Sequence, residues 1–377
     1  MRWPWLAIVL FASSCARDAA PPAPKPKPAQ AAPAAEAARP LLRRHPALAR
    51  ALPWVELADL PTPVQSHPRL AARVGARELW VKRDDRTSPA YGGNKVRKLE
   101  LFLGEARRLG RSRIVTFGGV GSNHALATAV HARRLGLSTT LLLLPQQPSA
   151  HVRSNLLAMA ETGAELFLAR SLDESVAARP HVDESTYVIP TGGTAPLGDV
   201  GLVNAGFELA EQVARGELPE PDEVWVAFGT GGTAAGLALG FAAAGLRSRV
   251  MAVRVSSPRY ATWKNLVHAF DATRDFLRER DPSFPRVRLG PERAEIVEGF
   301  AGKGYGIPSR AGRDASELAR ELASLELDDT YTAKTLAALA ARAPNGIVLF
   351  WNTFDPRPHG AGADPARLPA ELRGFAK

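Results

Sequence analysis

Cysteine is almost absent from these 377 residues: Cys15 stands alone, so no disulfide can form within the chain. Long hydrophobic runs are missing too. The apolar stretch from Trp3 to Ala12 falls well short of the ~20 residues that a membrane-spanning helix needs. No internal repeat is visible, and no basic segment is interleaved with aromatics as in a nucleic-acid surface. The net charge of +10 does not point to one either, because it is unevenly spread. Residues 1–50 hold 8 Lys/Arg against 2 Asp/Glu, whereas the rest of the chain holds 40 against 36. The basic bias belongs mostly to a tail, and no nucleic-acid partner is expected. No metal site is expected. The apolar and charged fractions, 45% and 23%, are those of a globular protein.

What is present is glycine in particular places. Tyr91-Gly92-Gly93-Asn94-Lys95 leads into an apolar helix pattern through Leu99, Phe102, Leu103, Ala106 and Leu109. A lysine at a helix N-terminus feels the positive end of the macrodipole, and burial would lower its pKa further. A neutral amine is what a carbonyl-bearing cofactor needs. The plain alternative is a solvated basic face made of Lys95, Arg97 and Lys98. Two more glycine segments each join a strand to a helix: Gly118-Gly119-Val120-Gly121-Ser122-Asn123-His124 after strand 113–117, and Gly229-Thr230-Gly231-Gly232-Thr233 after strand 223–228. The latter reads as a phosphate cradle, since glycines admit an anion to backbone N–H groups and a helix N-terminus favours negative charge. It has no following Lys-Ser/Thr of a Walker A loop and lacks the dinucleotide glycine spacing.

These three motifs, in this order, resemble the D-cysteine desulfhydrase and 1-aminocyclopropane-1-carboxylate deaminase family of fold-type-II pyridoxal-phosphate enzymes, relatives of the tryptophan synthase β-chain. The resemblance runs from about Pro53 to about Thr353 and includes Lys82-Arg83-Asp84-Asp85 upstream of Lys95. It implies an α/β fold of two domains, each an open, parallel-rich sheet flanked by helices, with pyridoxal 5′-phosphate between them. It also implies roles. Lys95 is the Schiff-base lysine and Asn94 lies beside it. Asn123 meets the cofactor's 3′-oxygen, while Ser122 lies by the substrate Cα as a candidate proton carrier. Gly229, Thr230, Gly231, Gly232 and Thr233 hold the phosphate. Ser122 is also a favoured helix N-cap, and His124, expected near the substrate, fits a structural role equally well. Gly302-Lys303-Gly304-Tyr305-Gly306 and Leu327-Asp328-Asp329-Thr330-Tyr331 supply two tyrosines that the resemblance places in the active site, Tyr305 facing the substrate. Thr332 replaces the Glu of the deaminases, as in the desulfhydrase-like branch. Thr353 stands where that branch offers a threonine to the pyridine nitrogen.

The chain departs from the family at Asn352-Thr353-Phe354-Asp355, where His-Thr-Gly-Gly is expected, and in the loop Thr87-Ser88-Pro89-Ala90-Tyr91. Phe354 is positioned to crowd or cover the cofactor ring. Asp355, if turned inward, could protonate the pyridine nitrogen.

Met1-Arg2, the short apolar run and Ser13-Ser14 read as a signal peptide, spanning 1–15. It resembles a bacterial lipoprotein signal with Cys15 as the lipidated residue, although Ala12 stands where Leu is usual. The alternative is a misassigned start and a cytoplasmic protein. Residues 16–45, rich in Ala, Pro and Lys, read as a disordered linker. Strands alternating with helices then assign 46–96 and 195–365 to a large cofactor-binding domain and 97–194 to a small domain, with 366–377 a C-terminal tail. The implied assembly is a homodimer acting on a small amino acid and touching membrane only through the Cys15 lipid. The expected reaction is β-elimination, foremost of D-cysteine to sulfide, pyruvate and ammonia. The alternatives are aminocyclopropane carboxylate deamination, against which Thr332 argues, and a catalytically degenerate amino-acid-binding lipoprotein.

Overall fold

A computed structural model describes residues 39–170, 182–360 and 362–377. The expected signal peptide, Cys15 and the linker as far as residue 38 lie outside them. Two sheets organise the described chain. The larger contains six strands in the order β1 (Val64–Ser66), β2 (Glu78–Arg83), β10 (Ile347–Asn352), β7 (Glu223–Phe228), β8 (Arg249–Arg254) and β9 (Ala294–Val297). Only β1 runs antiparallel to its neighbour. The smaller sheet is parallel throughout, in the order β5 (Glu165–Leu168), β4 (Ser138–Leu144), β3 (Arg113–Gly119) and β6 (Thr186–Ile189). Strands such as Leu141-Leu142-Leu143 and Val224-Trp225-Val226 are buried on both faces, as parallel sheets covered by helices require. The α/β, two-sheet, parallel-rich architecture read from the sequence is the one observed.

The helix Lys95–Arg108 lies between the two units. Leu99, Phe102 and Leu103 join the core of the small sheet, while Leu101 joins that of the large one. Its other anchors are charged. Arg97 is buried between Asp84 (2.7 Å) and Glu208 (2.9 Å), and Lys82 donates to Glu208 (2.6 Å) and Gln212 (2.5 Å). Burial alone would lower the Arg97 guanidinium, but the two carboxylates outweigh it and raise it. Breaking such a buried cluster from one side leaves an uncompensated charge, so it fixes this helix against β2 and the helix Pro196–Ala214.

One expectation is corrected at the chain's start. The linker does not reach residue 45. Pro40–Arg44 and Pro46–Ala51 are helical, Leu41, Leu42 and Leu48 are in the large core, and Arg39 is buried in an ion pair with Glu100. Glu100 also accepts from Trp54 Nε1 and from the amides of Leu57 and Ala58. At the other end, the 366–377 tail packs onto the fold. Leu368, Leu372 and Ala376 pack into the small core, and Arg153 donates to the Ala376 carbonyl.

Candidate active site

The site segments follow the C-terminal ends of the parallel strands β2, β3, β7 and β10, where ligands of open α/β sheets bind. The Gly92-Gly93 turn is gripped there by backbone. A Cβ on Gly92 would lie 2.1 Å from the Asp85 carbonyl, and Gly93 has φ +94°. The turn delivers Asn94 and Lys95 to the cleft. Asn94 Nδ2 donates to Thr233 Oγ1 at 2.8 Å, and Lys95 Nζ lies 3.4 Å from the Gly192 carbonyl. Burial, then the nearby Lys98 ammonium, push the Lys95 amine down to about 7, with Asp199 opposing. A large neutral fraction near neutral pH suits nucleophilic attack on a carbonyl.

Gly229–Thr233 forms a cradle. Gly231 (φ +100°) precedes the helix Gly232–Ala244, which has no side-chain cap, so its first amides face the cleft without intrahelical partners. Thr230 and Thr233 flank them, with the Thr230 hydroxyl 2.6 Å from that of Thr194. Behind the cradle, Lys98 Nζ pairs with Asp199 Oδ1 at 2.6 Å and donates to the Gly193 carbonyl at 3.1 Å. A Cβ on Gly232 would lie 2.1 Å from Asp199 Oδ1. An uncapped helix N-terminus lined by glycines and hydroxyls, beside a lysine whose amine is lowered to about 7, fits the phosphate and aldehyde ends of pyridoxal phosphate.

From the small domain, Ser122 caps the helix Asn123–Arg134 by accepting from Ala125 N at 3.2 Å. Asn123 Oδ1 accepts from Asn155 Nδ2 at 2.8 Å and lies 3.5 Å from the Tyr91 hydroxyl. His124 is buried. Its Nε2 meets Thr116 Oγ1 at 2.9 Å while Thr116 donates to the Ile189 carbonyl, and its ring edge supports Gly193. These contacts give His124 a structural role. Burial and the Lys95 and Lys98 charges hold this imidazole neutral, well below its usual range.

Tyr305 and Tyr331 come together with hydroxyls 2.6 Å apart and rings edge to face. Tyr305 is 39% exposed at the mouth of the cleft. A Cβ on Gly229 would touch the Tyr331 ring, and one on Gly119 the Tyr305 ring, so the pair spans the two glycine loops. Asp328 fixes this turn by accepting from the amides of Tyr331 and Thr332 and from the Thr332 hydroxyl (2.7 Å). Lys334 Nζ holds the 302–306 loop through the carbonyls of Ala301 and Gly304.

The Thr353 carbonyl abuts Gly93, and among the described residues no hydrogen bond forms to the Thr353 hydroxyl. Phe354 packs edge-on against His151, ring centroids 5.6 Å apart. Asp355 does turn inward, but onto protein partners. It accepts from Gly92 N (2.7 Å), from Arg357 Nε (2.8 Å) and from His359 Nε2 (3.2 Å). These bonds override its burial and hold the carboxyl well below the usual range, with its oxygens taken by protein donors.

Sequence reading missed Asn155, Lys98, Asp199 and the loop Thr191-Gly192-Gly193-Thr194. The loop carried a signal: a strand, two glycines between threonines, then Pro196 opening a helix, the same arrangement as the cradle. Asn155 carried a weaker one, a polar residue on the inward face of an apolar helix.

Residues 55–352 match a family described as pyridoxal-phosphate dependent enzyme. The Nocardicin C-9′ epimerase of Nocardia uniformis subsp. tsuyamanensis is 37% identical over 337 residues, covering 85% of this chain and 98% of that protein. The D-cysteine desulfhydrase of Salmonella choleraesuis (strain SC-B67) is 32% identical over 315 residues, covering 76% and 87%. A crystal structure described as an ACC deaminase homologue superposes with a TM-score of 0.70 at 28% identity, covering 84% of this chain and 94% of its own.

Proposed function

The chain belongs to the pyridoxal-phosphate-dependent enzyme family, in the group of D-cysteine desulfhydrases and ACC deaminases, and from that premise we propose that it is a lyase. It removes the Cα proton of a small amino acid and expels the β-substituent. With D-cysteine and water the products are sulfide, pyruvate and ammonia. The observation that carries this reading is the placement of Lys95, its Nζ 3.4 Å from the Gly192 carbonyl and its neighbour Asn94 bonded to Thr233 of the cradle. When bound, the cofactor supplies an electron sink for the Cα carbanion. Lys95 would hold it, and the free Lys95 amine, lowered to about 7, is a base of suitable strength for the Cα proton. Ser122 is the second candidate carrier. Asn94, Thr233 and the amides of Gly231–Thr233 hold the phosphate end, and Asn123 orients the ring. The paired hydroxyls of Tyr305 and Tyr331 would hydrogen-bond the substrate and its departing thiolate. Sulfide and pyruvate formation from D-cysteine, lost in Lys95→Ala, tests the reading.

A second reading is favoured by the 37% identity to an epimerase: the same proton removal, then return to the opposite face with no bond to Cβ broken. In D₂O, inversion and Cα deuteration without sulfide or pyruvate would select it. Deamination of aminocyclopropane carboxylate, seen as α-ketobutyrate, is disfavoured by Thr332, whose hydroxyl is committed to Asp328. Binding without any turnover would select the degenerate binding protein. We also propose that the chain is exported, lipidated at Cys15 and dimeric. Globomycin-sensitive processing of the full chain and light scattering test these points, and a cytoplasmic product of unmodified mass would refute the first two.

A further inference from the structure

We propose that Asp355 is a positioning residue for the Lys95 turn, gripping it from the end of β10 together with Arg357 and His359. The inference rests on Lys95 being the residue that bonds the cofactor. Strands β2 and β10 are adjacent and parallel, with Asn352 opposite Arg83, so their ends emerge side by side beneath Gly92-Gly93. From the β2 side, Gly93 N donates to the Asp84 carbonyl at 2.8 Å and the Asp85 carbonyl packs on Gly92. From the β10 side, the Thr353 carbonyl packs on Gly93, and Asp355 Oδ2 accepts from Gly92 N at 2.7 Å. The turn is therefore held on both flanks by side chains as well as backbone, the Thr87 hydroxyl donating to the Gly93 carbonyl at 2.9 Å on the β2 side and the Asp355 carboxylate accepting from Gly92 N on the β10 side.

That side chain is wholly enclosed: the Asp355 carboxylate is 0% exposed. Its oxygens also take Arg357 N (3.0 Å), Nε (2.8 Å) and Nη2 (2.5 Å) and His359 Nε2 (3.2 Å). Arg357 in turn donates to the carbonyls of Ser88 (2.7 Å) and Pro89 (2.5 Å), so one ion pair fastens the whole 88–92 loop. The His359 ring packs on Tyr91 at 4.8 Å, and its carbonyl accepts from Ser154 Oγ at 3.0 Å on the small domain. The two segments that depart from the family pattern, 87–91 and 354–355, are thus tied together through Arg357. A charge-assisted bond to a backbone amide, with its acceptor locked by a guanidinium, defines direction more tightly than a neutral one. A lysine three residues along the same turn inherits that precision.

The test titrates pyridoxal phosphate into the full-length apoprotein and reads the absorbance of the cofactor–lysine band. Asp355→Ala is expected to bind roughly ten- to a hundredfold more weakly, the loss of a charged hydrogen bond. Asp355→Asn keeps an acceptor for Gly92 N–H and should recover part of that loss. Wild-type affinity in a folded Asp355→Ala protein, or Asp355→Asn binding as weakly as Asp355→Ala, overturns the proposal. If Asp355→Ala does not fold, Arg357→Ala decides: weakened binding supports the proposal and wild-type binding overturns it. Lys95→Ala separates the layers. Persistence of the band there overturns both this inference and the reading it rests on. Its loss there, with Asp355→Ala unchanged, overturns this inference alone.

Discussion

The side-chain amide of Asn94 donates to the hydroxyl of Thr233 at 2.8 Å, tying the turn that carries Lys95 to the helix N-terminus that forms the phosphate cradle. A ligand bonded at one end and cradled at the other feels any change in that span. Asn94→Ala should weaken pyridoxal phosphate binding about five- to tenfold, the worth of one neutral hydrogen bond. Fluorescence titration of the apoprotein measures it. Thr233→Val should lose a similar amount, and the double variant less than the sum, because the two side chains share one interaction.

Lys95 predicts a pH dependence. In the fold its amine is lowered to about 7 by burial and by Lys98, with Asp199 opposing, whereas the unfolded chain keeps its proton to ~10.4. Between about pH 7 and pH 10 the unfolded state therefore binds more protons, and stability must rise with pH across that window. The apoprotein Tm should climb more steeply with pH than that of Lys95→Met. Parallel slopes would mean that the amine is not depressed.

Gly232 carries a packing prediction. Its added methyl would sit 2.1 Å from Asp199 Oδ1 and 2.5 Å from Lys98 Nζ, two groups each 1% exposed. Gly232→Ala must separate them, and breaking a buried pair costs about 3–5 kcal/mol. Gly374→Ala, with nothing within 4 Å, should stay within ~0.5 kcal/mol of wild type. Urea unfolding of both apoproteins checks the contrast.

Much of this was legible in the sequence, for reasons the structure makes plain. Strands β3, β4, β7, β8 and β10 are continuous apolar runs because both faces of a parallel sheet are covered. Three glycine loops were visible because backbone approach and positive φ leave few other residues possible. Strands β1 and β9, three and four residues long, carry too little pattern to stand out. The helix Pro40–Arg44 was hidden by Ala/Pro-rich surroundings, and its anchor Arg39 finds Glu100 across 61 residues of chain, a pairing no local pattern contains. Ser122 and His124 stand two residues apart at the start of one helix, yet the helical turn sends the imidazole to Thr116 and leaves the serine as the cap. Asp355 was read as a possible acid, because its partners Gly92 and His359 could be identified only once the fold brought them together.

Ser122 allows structural and chemical roles to be separated. Its hydroxyl caps the helix Asn123–Arg134, and replacing a capping serine by alanine costs ~1 kcal/mol whereas glycine costs only a few tenths. Ser122→Ala and Ser122→Gly should therefore differ in Tm. If the hydroxyl also carries a proton at the substrate, both should lose turnover alike, by about a hundredfold or more. Thr262 supplies the comparison, since it caps the helix Trp263–Arg280 in the same way, accepting from Asn265 N at 3.1 Å. Thr262→Ala should lower Tm as Ser122→Ala does and leave kcat near wild type. Turnover that tracks Tm across all three variants would reduce Ser122 to its cap. Turnover lost in Ser122→Gly with stability intact would place its hydroxyl in the chemistry.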